Sequence, residues 1–241
     1  MPKRIRQQRR GKGTAVFRAP SFNFKCKTNY RAQDVAEENA LGGEVIDLFD
    51  DTARTAPVML IRYKDGKLIT LPAPYGIKVG DIVSAGARAS IQKGNVLPLR
   101  SIPAGTDIYN LEIVPGDGGK LVKASGGSAK VISHETGKVI VRLPSKQFKI
   151  FNPNCRATVG VIAGFGRLEK PVVKAGKHYF MQKSRGRYWP MVAGVAMNAI
   201  NHPFGGKRRS TQKSMKLSAS RNAPPGRKVG SIAPRRTGIK K

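Results

Sequence analysis

All fourteen acidic residues of this 241-residue chain lie between Asp34 and Glu169. Residues 1–33 carry ten Lys and Arg and no acid, and residues 170–241 carry eighteen and no acid. Of the 45 basic residues, seventeen therefore remain beside the fourteen acids, so the middle is near neutral at +3 and the ends hold +28 of the +31 net charge. Ends so charged repel one another and themselves until a polyanion neutralises them. The pattern predicts a neutral globule between two basic extensions. The length allows one large core or two small ones. An apolar content of 39%, slightly below the globular norm, implies that part of the chain has no core of its own.

Several classes are disfavoured by what the chain lacks. It has no run of about eighteen apolar residues, as a membrane-spanning helix requires. The opening Met1-Pro2-Lys3-Arg4 leads into Arg, Gln and Gly, not the apolar stretch of a secretory signal. Residues 1–33 lack the amphipathic period of a transit peptide, and neither end has an apolar face to lie on a membrane. Cys26 and Cys155 are far apart, which suggests a reducing compartment and no disulfide framework.

The ends read as extended chain and the middle as β structure. Residues 34–43 could form a short helix capped by Asp34. Residues 44–49, 58–63, 67–71 and 81–84 have strand character, and Lys64-Asp65-Gly66 is a hairpin signal. Residues 94–103, with Pro98 and Pro103, read as a connector. A second series follows at 107–114, 120–124, 129–133, 138–143 and 157–162, with Gly-rich turns between. The expected fold is all-β. Two small barrels at 34–90 and 91–170 stand between an N-terminal arm (1–33) and a C-terminal segment (171–241) that orders on a partner.

The ends mix Arg and Lys with Gly and with rings: Phe17, Phe22, Phe24 and Tyr30 at one end, Tyr179, Phe180, Tyr188, Trp189 and Phe204 at the other. Arg grips phosphate in bidentate fashion, Gly admits close backbone approach, and rings stack on unpaired bases. Helix-turn-helix, zinc-finger and basic-zipper patterns are absent. His134, His178 and His202 form no ligand-spaced pair, so no metal site is expected. Gly205-Gly206-Lys207 fails as a phosphate loop, because position 201 is Asn and position 208 is Arg. A general-base role for His202 lacks an acid within thirty residues. An RNA chaperone would also explain the basic ends.

Three motifs narrow these alternatives. Gly11-Lys12-Gly13-Thr14 precedes Phe17-Arg18-Ala19-Pro20-Ser21. Gly194-Val195-Ala196-Met197-Asn198 precedes His202-Pro203-Phe204-Gly205-Gly206. Ser220-Arg221-Asn222-Ala223-Pro224-Pro225-Gly226-Arg227-Lys228-Val229-Gly230 follows. Over essentially its whole length the chain resembles the universal large-subunit ribosomal protein two, the "L-two" family, in its archaeal and eukaryotic form and most closely the archaeal one. Phe204 stands where bacterial members carry a second His, Lys207 where they carry a third Gly, and Asn201 where Asp is common.

The resemblance implies an OB-fold barrel followed by an SH3-like barrel. It implies a cytoplasmic structural protein of the ribosome, not an enzyme. Its partners would be large-subunit ribosomal RNA (rRNA), neighbouring ribosomal proteins, the small subunit at the interface, and tRNA nearby, with no membrane. It further implies support for assembly of the peptidyl-transferase region. No cofactor is expected beyond Mg²⁺ shared with rRNA. The expected rRNA contacts in the arm are Arg4, Arg6, Arg9, Arg10, Lys12, Arg18 and Lys25. Arg185, Arg187 and Trp189 come next, then the loop with Asn198, His202, Gly205, Gly206, Lys207, Arg208 and Arg209. Arg221, Arg227, Lys228, Arg235 and Arg236 complete the set. Arg62, Lys64, Lys67 and Arg156 are expected to give the barrels basic faces.

Overall fold

The computed structural model describes residues 3–32, 39–206 and 218–232. It forms two compact units: residues 22–171, and a second unit drawn from both chain ends, residues 1–21 and 172–241.

The first unit is a sheet of ten strands. They are β1 (Leu41–Phe49), β2 (Val58–Tyr63), β3 (Leu68–Pro72), β4 (Ile82–Ala85) and β5 (Val96–Pro98), then β6 (Asp107–Tyr109), β7 (Ala129–Glu135), β8 (Lys138–Arg142), β9 (Phe148–Phe151) and β10 (Arg156–Val159). The spatial order is β3-β2-β1-β4-β5-β10-β6-β7-β8-β9. Strand alternation builds the core. On β2, Met59, Ile61 and Tyr63 are buried while Arg62 is exposed, opposite Glu44 of β1. On β8, Val139 and Val141 are buried between exposed Lys138 and Arg142.

Two large apolar clusters pack in this unit, beside a small one of Ala56, Tyr109 and Ile162. One gathers Val45, Met59, Ile61, Leu71 and Val83; the other gathers Leu99, Ile108, Val131, Val141 and Phe151. β5 serves both, since Val96 belongs to the first cluster and its neighbour Leu97 to the second. Successive strand residues point to opposite faces, so one short strand closes two cores.

Several sequence expectations need correction. The connector at 94–103 contains β5, because Pro98 sits at the strand's last position, where a missing N–H costs little. Residues 120–124 are not a strand: a single bridge, Leu111 to Leu121, holds an irregular loop in which Asn110 and Val122 have positive φ. β9 was not expected; Lys146 turns the chain into it at φ 64°, a position that offers no Gly signal. Of the expected helix at 34–43, residues 33–38 lie outside the described residues, and 41–43 belong to β1.

The arm also changes character within its expected range. From residue 23 onward it is strapped to the sheet unit. Thr52 Oγ1 donates to the Asn23 carbonyl, Thr70 Oγ1 to that of Lys27, and Lys123 Nζ to that of Thr28, each at 2.7–3.0 Å. Tyr30 is 6% exposed. Its hydroxyl donates to the Asn110 carbonyl and meets Thr158 Oγ1, both at 2.7 Å. Burial pushes this phenol far above its usual pKa, so it stays a neutral donor. Tyr30 is a core residue and offers no ring for stacking.

Arg156 likewise leaves the expected basic face. It is 2% exposed, and its Nη2 lies 2.7 Å from Glu112 Oε1, itself fully buried. Its Nη1 donates to the Arg31 carbonyl. The Glu112 carboxylate also accepts from the backbone N–H groups of Gly116, Gly118 and Arg156. A charge so enclosed must be paired, which is why the side chain turns inward. Arg62, Lys64 and Lys67 are exposed as expected.

Candidate nucleic-acid interface

The unit made from both ends contains 24 of the 45 basic residues and none of the fourteen acids, leaving 21 against fourteen for the sheet unit. No carboxylate side chain within it can pair its Lys and Arg. The unit therefore carries an unbalanced positive charge, which attracts an external anion.

The N-terminal piece begins with α1 (Arg6–Arg9), a single turn. It is anchored by buried Ile5, by the Ile5 N–H donating to Gln8 Oε1, and by the Lys3 N–H donating to the Ile200 carbonyl at 2.9 Å. Arg6 lays its guanidinium over the Tyr188 ring, 4.2 Å from the centroid. Arg4, Arg9, Arg10, Lys12 and Arg18 are exposed. Lys25 is exposed too, but on the sheet unit, with its ammonium 5.5 Å from the Phe49 ring.

The C-terminal segment is not extended throughout, as its sequence suggested. α2 (Ala175–Ser184) occupies part of it. Ala, Lys, Met and Gln favour helix, and the turn ends as Gly186 takes φ 62° just past the C-cap Arg185. None of its residues is buried, so no apolar stripe announced it. Arg185 and Arg187 are exposed just beyond it. Trp189 is half-buried against His178, with ring centroids 4.8 Å apart.

The loop at 194–206 closes on itself. The Gly206 N–H donates to the Met197 carbonyl, His202 N–H to Asn198, and Gly205 N–H to His202. Two glycines make this possible. A Cβ on Gly194 would sit 2.4 Å from His202 Cε1, and one on Gly205 2.3 Å from the Met197 carbonyl oxygen. The imidazole thus lies directly on the Gly194 backbone. Its Nδ1 accepts from the Phe204 N–H at 3.0 Å, which leaves the proton of the neutral ring on Nε2. Burial, aided by the Arg6 charge, pulls its pKa below the usual imidazole value. Asn198 and Gly206 are exposed, Gly205 is buried and His202 half-buried.

The tail returns through β11 (Ser218–Ala219) and β12 (Ser231–Ile232), a parallel pair. Between them Arg221 and Arg227 are exposed and Lys228 is half-buried beside buried Val229. Lys207, Arg208, Arg209, Arg235 and Arg236 lie outside the described residues. Phe17 and Tyr188, with ring centroids 6.3 Å apart, are packed together although far apart in sequence. Their ring chemistry was visible in the sequence; their meeting was not.

The remaining histidine, His134, bonds the Ile102 carbonyl at 2.7 Å and is structural. Among the described residues no three of His, Cys, Asp and Glu gather as a metal-holding group. No helix among them is long and apolar enough to cross a membrane.

The profile of a family described as "Ribosomal Proteins L2, C-terminal domain" matches residues 92–225. The chain is 49% identical to the large ribosomal subunit protein uL2 of Methanothermobacter thermautotrophicus over 239 residues, 99% of each chain. It is 49% identical to the protein of that name from Haloarcula marismortui over 238 residues, 99% of this chain and 98% of the other. With that of Methanococcus vannielii the identity is 49% over 241 residues, the full length of both. The motifs around His202 and Pro224, the basic unit that holds them and these full-length likenesses agree: the chain belongs to the L2 family of ribosomal proteins.

Proposed function

We propose that this protein is a structural, non-enzymatic constituent of the large ribosomal subunit in the cytoplasm and binds large-subunit rRNA through the unit built from its two ends. The observation that carries this reading is that unit's composition: 24 cations, no acid, and rings among them. Its arginines take phosphate, its rings and close-packed glycines meet bases and backbone, and phosphate contacts supply most of the affinity. The rRNA contacts are those named from the sequence, of which Lys25 lies on the sheet unit. The sheet unit is a scaffold in which the cluster of β1–β4 forms an OB-like barrel and that of β6–β10 an SH3-like one. Neighbouring ribosomal proteins and the small subunit complete its surroundings, with tRNA nearby. The 194–206 loop supports assembly of the peptidyl-transferase region. Any Mg²⁺ is held jointly with rRNA.

Two features speak against a general-base role for His202. Its Nδ1 is occupied by the Phe204 N–H, and its unit offers no carboxylate to orient the ring. Sedimentation tests the proposal. The tagged chain, expressed in its source cells, is expected to travel with large subunits through a high-salt gradient. Recovery in the free-protein fractions would overturn it.

A further inference from the structure

A cleft of about 520 Å³ opens within the basic unit, lined by Arg10, Phe17, Gln182, Arg187, Tyr188 and Trp189. That volume falls in the range of about 300–1,000 Å³ typical of small-ligand sites. We propose that it receives one unstacked nucleotide of large-subunit rRNA, its base among the rings and its phosphate between Arg10 and Arg187. The inference rests on the rRNA-binding reading above and goes beyond it by naming a single-nucleotide site.

Packing within the unit fixes the walls. A Cβ on Gly186 would fall 2.7 Å from the Ala19 nitrogen and 2.9 Å from the Phe17 carbonyl oxygen. Only glycine lets the arm lie this close to the end of α2, and this brings Phe17 to Tyr188. The Arg6 guanidinium braces Tyr188, and the His178 ring braces Trp189. Both rings are therefore half-buried and held in place. Preorganised rings lose little entropy when a base stacks on them.

The rim selects the occupant. Arg10 and Arg187 are exposed, and their unit contains no Asp or Glu. An apolar ligand would leave two guanidinium groups unused, and an acidic peptide would leave three rings unused. A nucleotide has an anion and a flat π-face within a few ångströms of each other, as the cleft requires. A cleft of this size accepts one such group and not a duplex.

The test uses the full chain assembled on large-subunit rRNA. Short-wave ultraviolet cross-linking followed by mass spectrometry is expected to find one rRNA nucleotide attached to the peptides that hold Phe17 and Tyr188–Trp189. The F17L/Y188L double variant is expected to bind rRNA roughly tenfold or more weakly at fixed salt, as loss of base stacking implies. Its salt dependence is expected to stay that of the wild type, since stacking releases no counterions. Tyr188→Phe in place of Tyr188→Leu restores a ring and is expected to recover affinity that the double variant loses. Assembly with cross-links elsewhere but none at residues 17, 188 and 189 would overturn the proposal, as would wild-type affinity of the double variant. Failure of the chain to bind rRNA at all would instead overturn the reading on which the proposal rests.

Discussion

Breaking the Glu112–Arg156 pair is expected to destabilise the sheet unit more than any surface charge change. The carboxylate is fully buried, and the guanidinium is 3% exposed. Arg156→Met preserves much of the side-chain volume but strands an ionised carboxylate, a loss that costs about 3–5 kcal/mol for such pairs. It also removes the bond to the Arg31 carbonyl, which helps to seat the strapped arm. With a urea slope of about 1–3 kcal/mol/M, the midpoint is expected to fall by roughly 1–5 M. Glu112→Leu is expected to cost more. It strands the guanidinium and also orphans the buried N–H groups of Gly118 and Arg156, at about 1–3 kcal/mol each. Trp189, the only Trp, belongs to the other unit, so circular dichroism is the appropriate probe of the sheet. An Arg156→Met midpoint within about 0.5 M of wild type, below the range that slope allows, would refute the reasoning. So would a Glu112→Leu variant more stable than Arg156→Met.

His202 is expected to titrate below the usual imidazole range by NMR, because its ring is partly buried and near Arg6. Its lowered folded pKa means that its stabilising contribution is present above the unfolded value and is lost as pH falls through the folded one. Gly194→Ala should displace the ring, break its bond with the Phe204 N–H and return the titration to the ordinary value; an unchanged low value would contradict this. Lys123, held between the Thr28 and Gly119 carbonyls, has its pKa pushed down to about 8, first by burial and then by Arg54. The unfolded chain then binds more protons than the folded one between that value and the ordinary lysine pKa, so stability should rise with pH across this window. In Lys123→Met that rise should flatten; a rise identical to wild type in thermal melts would rule the assignment out.

Much of the architecture could be read locally. The β2–β3 hairpin carries Asp65-Gly66, whose turn chemistry needs no tertiary context. The basic unit follows from counting charges, since both ends lack acids and carry nearly all of the net charge. What stayed hidden depends on distant partners. Arg156 reads as a surface charge until Glu112, 44 residues away, is folded against it. β5 hides behind Pro98, and β9 behind a turn made by Lys146 without glycine. α2 hides because it buries nothing within the chain. The encounter of Phe17 with Tyr188 requires the two ends to meet, which no local pattern encodes.

The central claim is that the acid-free unit holds rRNA through phosphate contacts. Its most direct test is the salt dependence of binding to large-subunit rRNA, compared between the wild-type chain and one with Arg221, Arg227 and Lys228 all changed to Ala. Each phosphate contact contributes about 0.7–0.9 to the slope of log K against log salt, so losing three should flatten it by roughly 2–3 units. That flattening is the expected result. A triple variant with the wild-type slope would contradict the claim that this tail lies on the phosphate backbone.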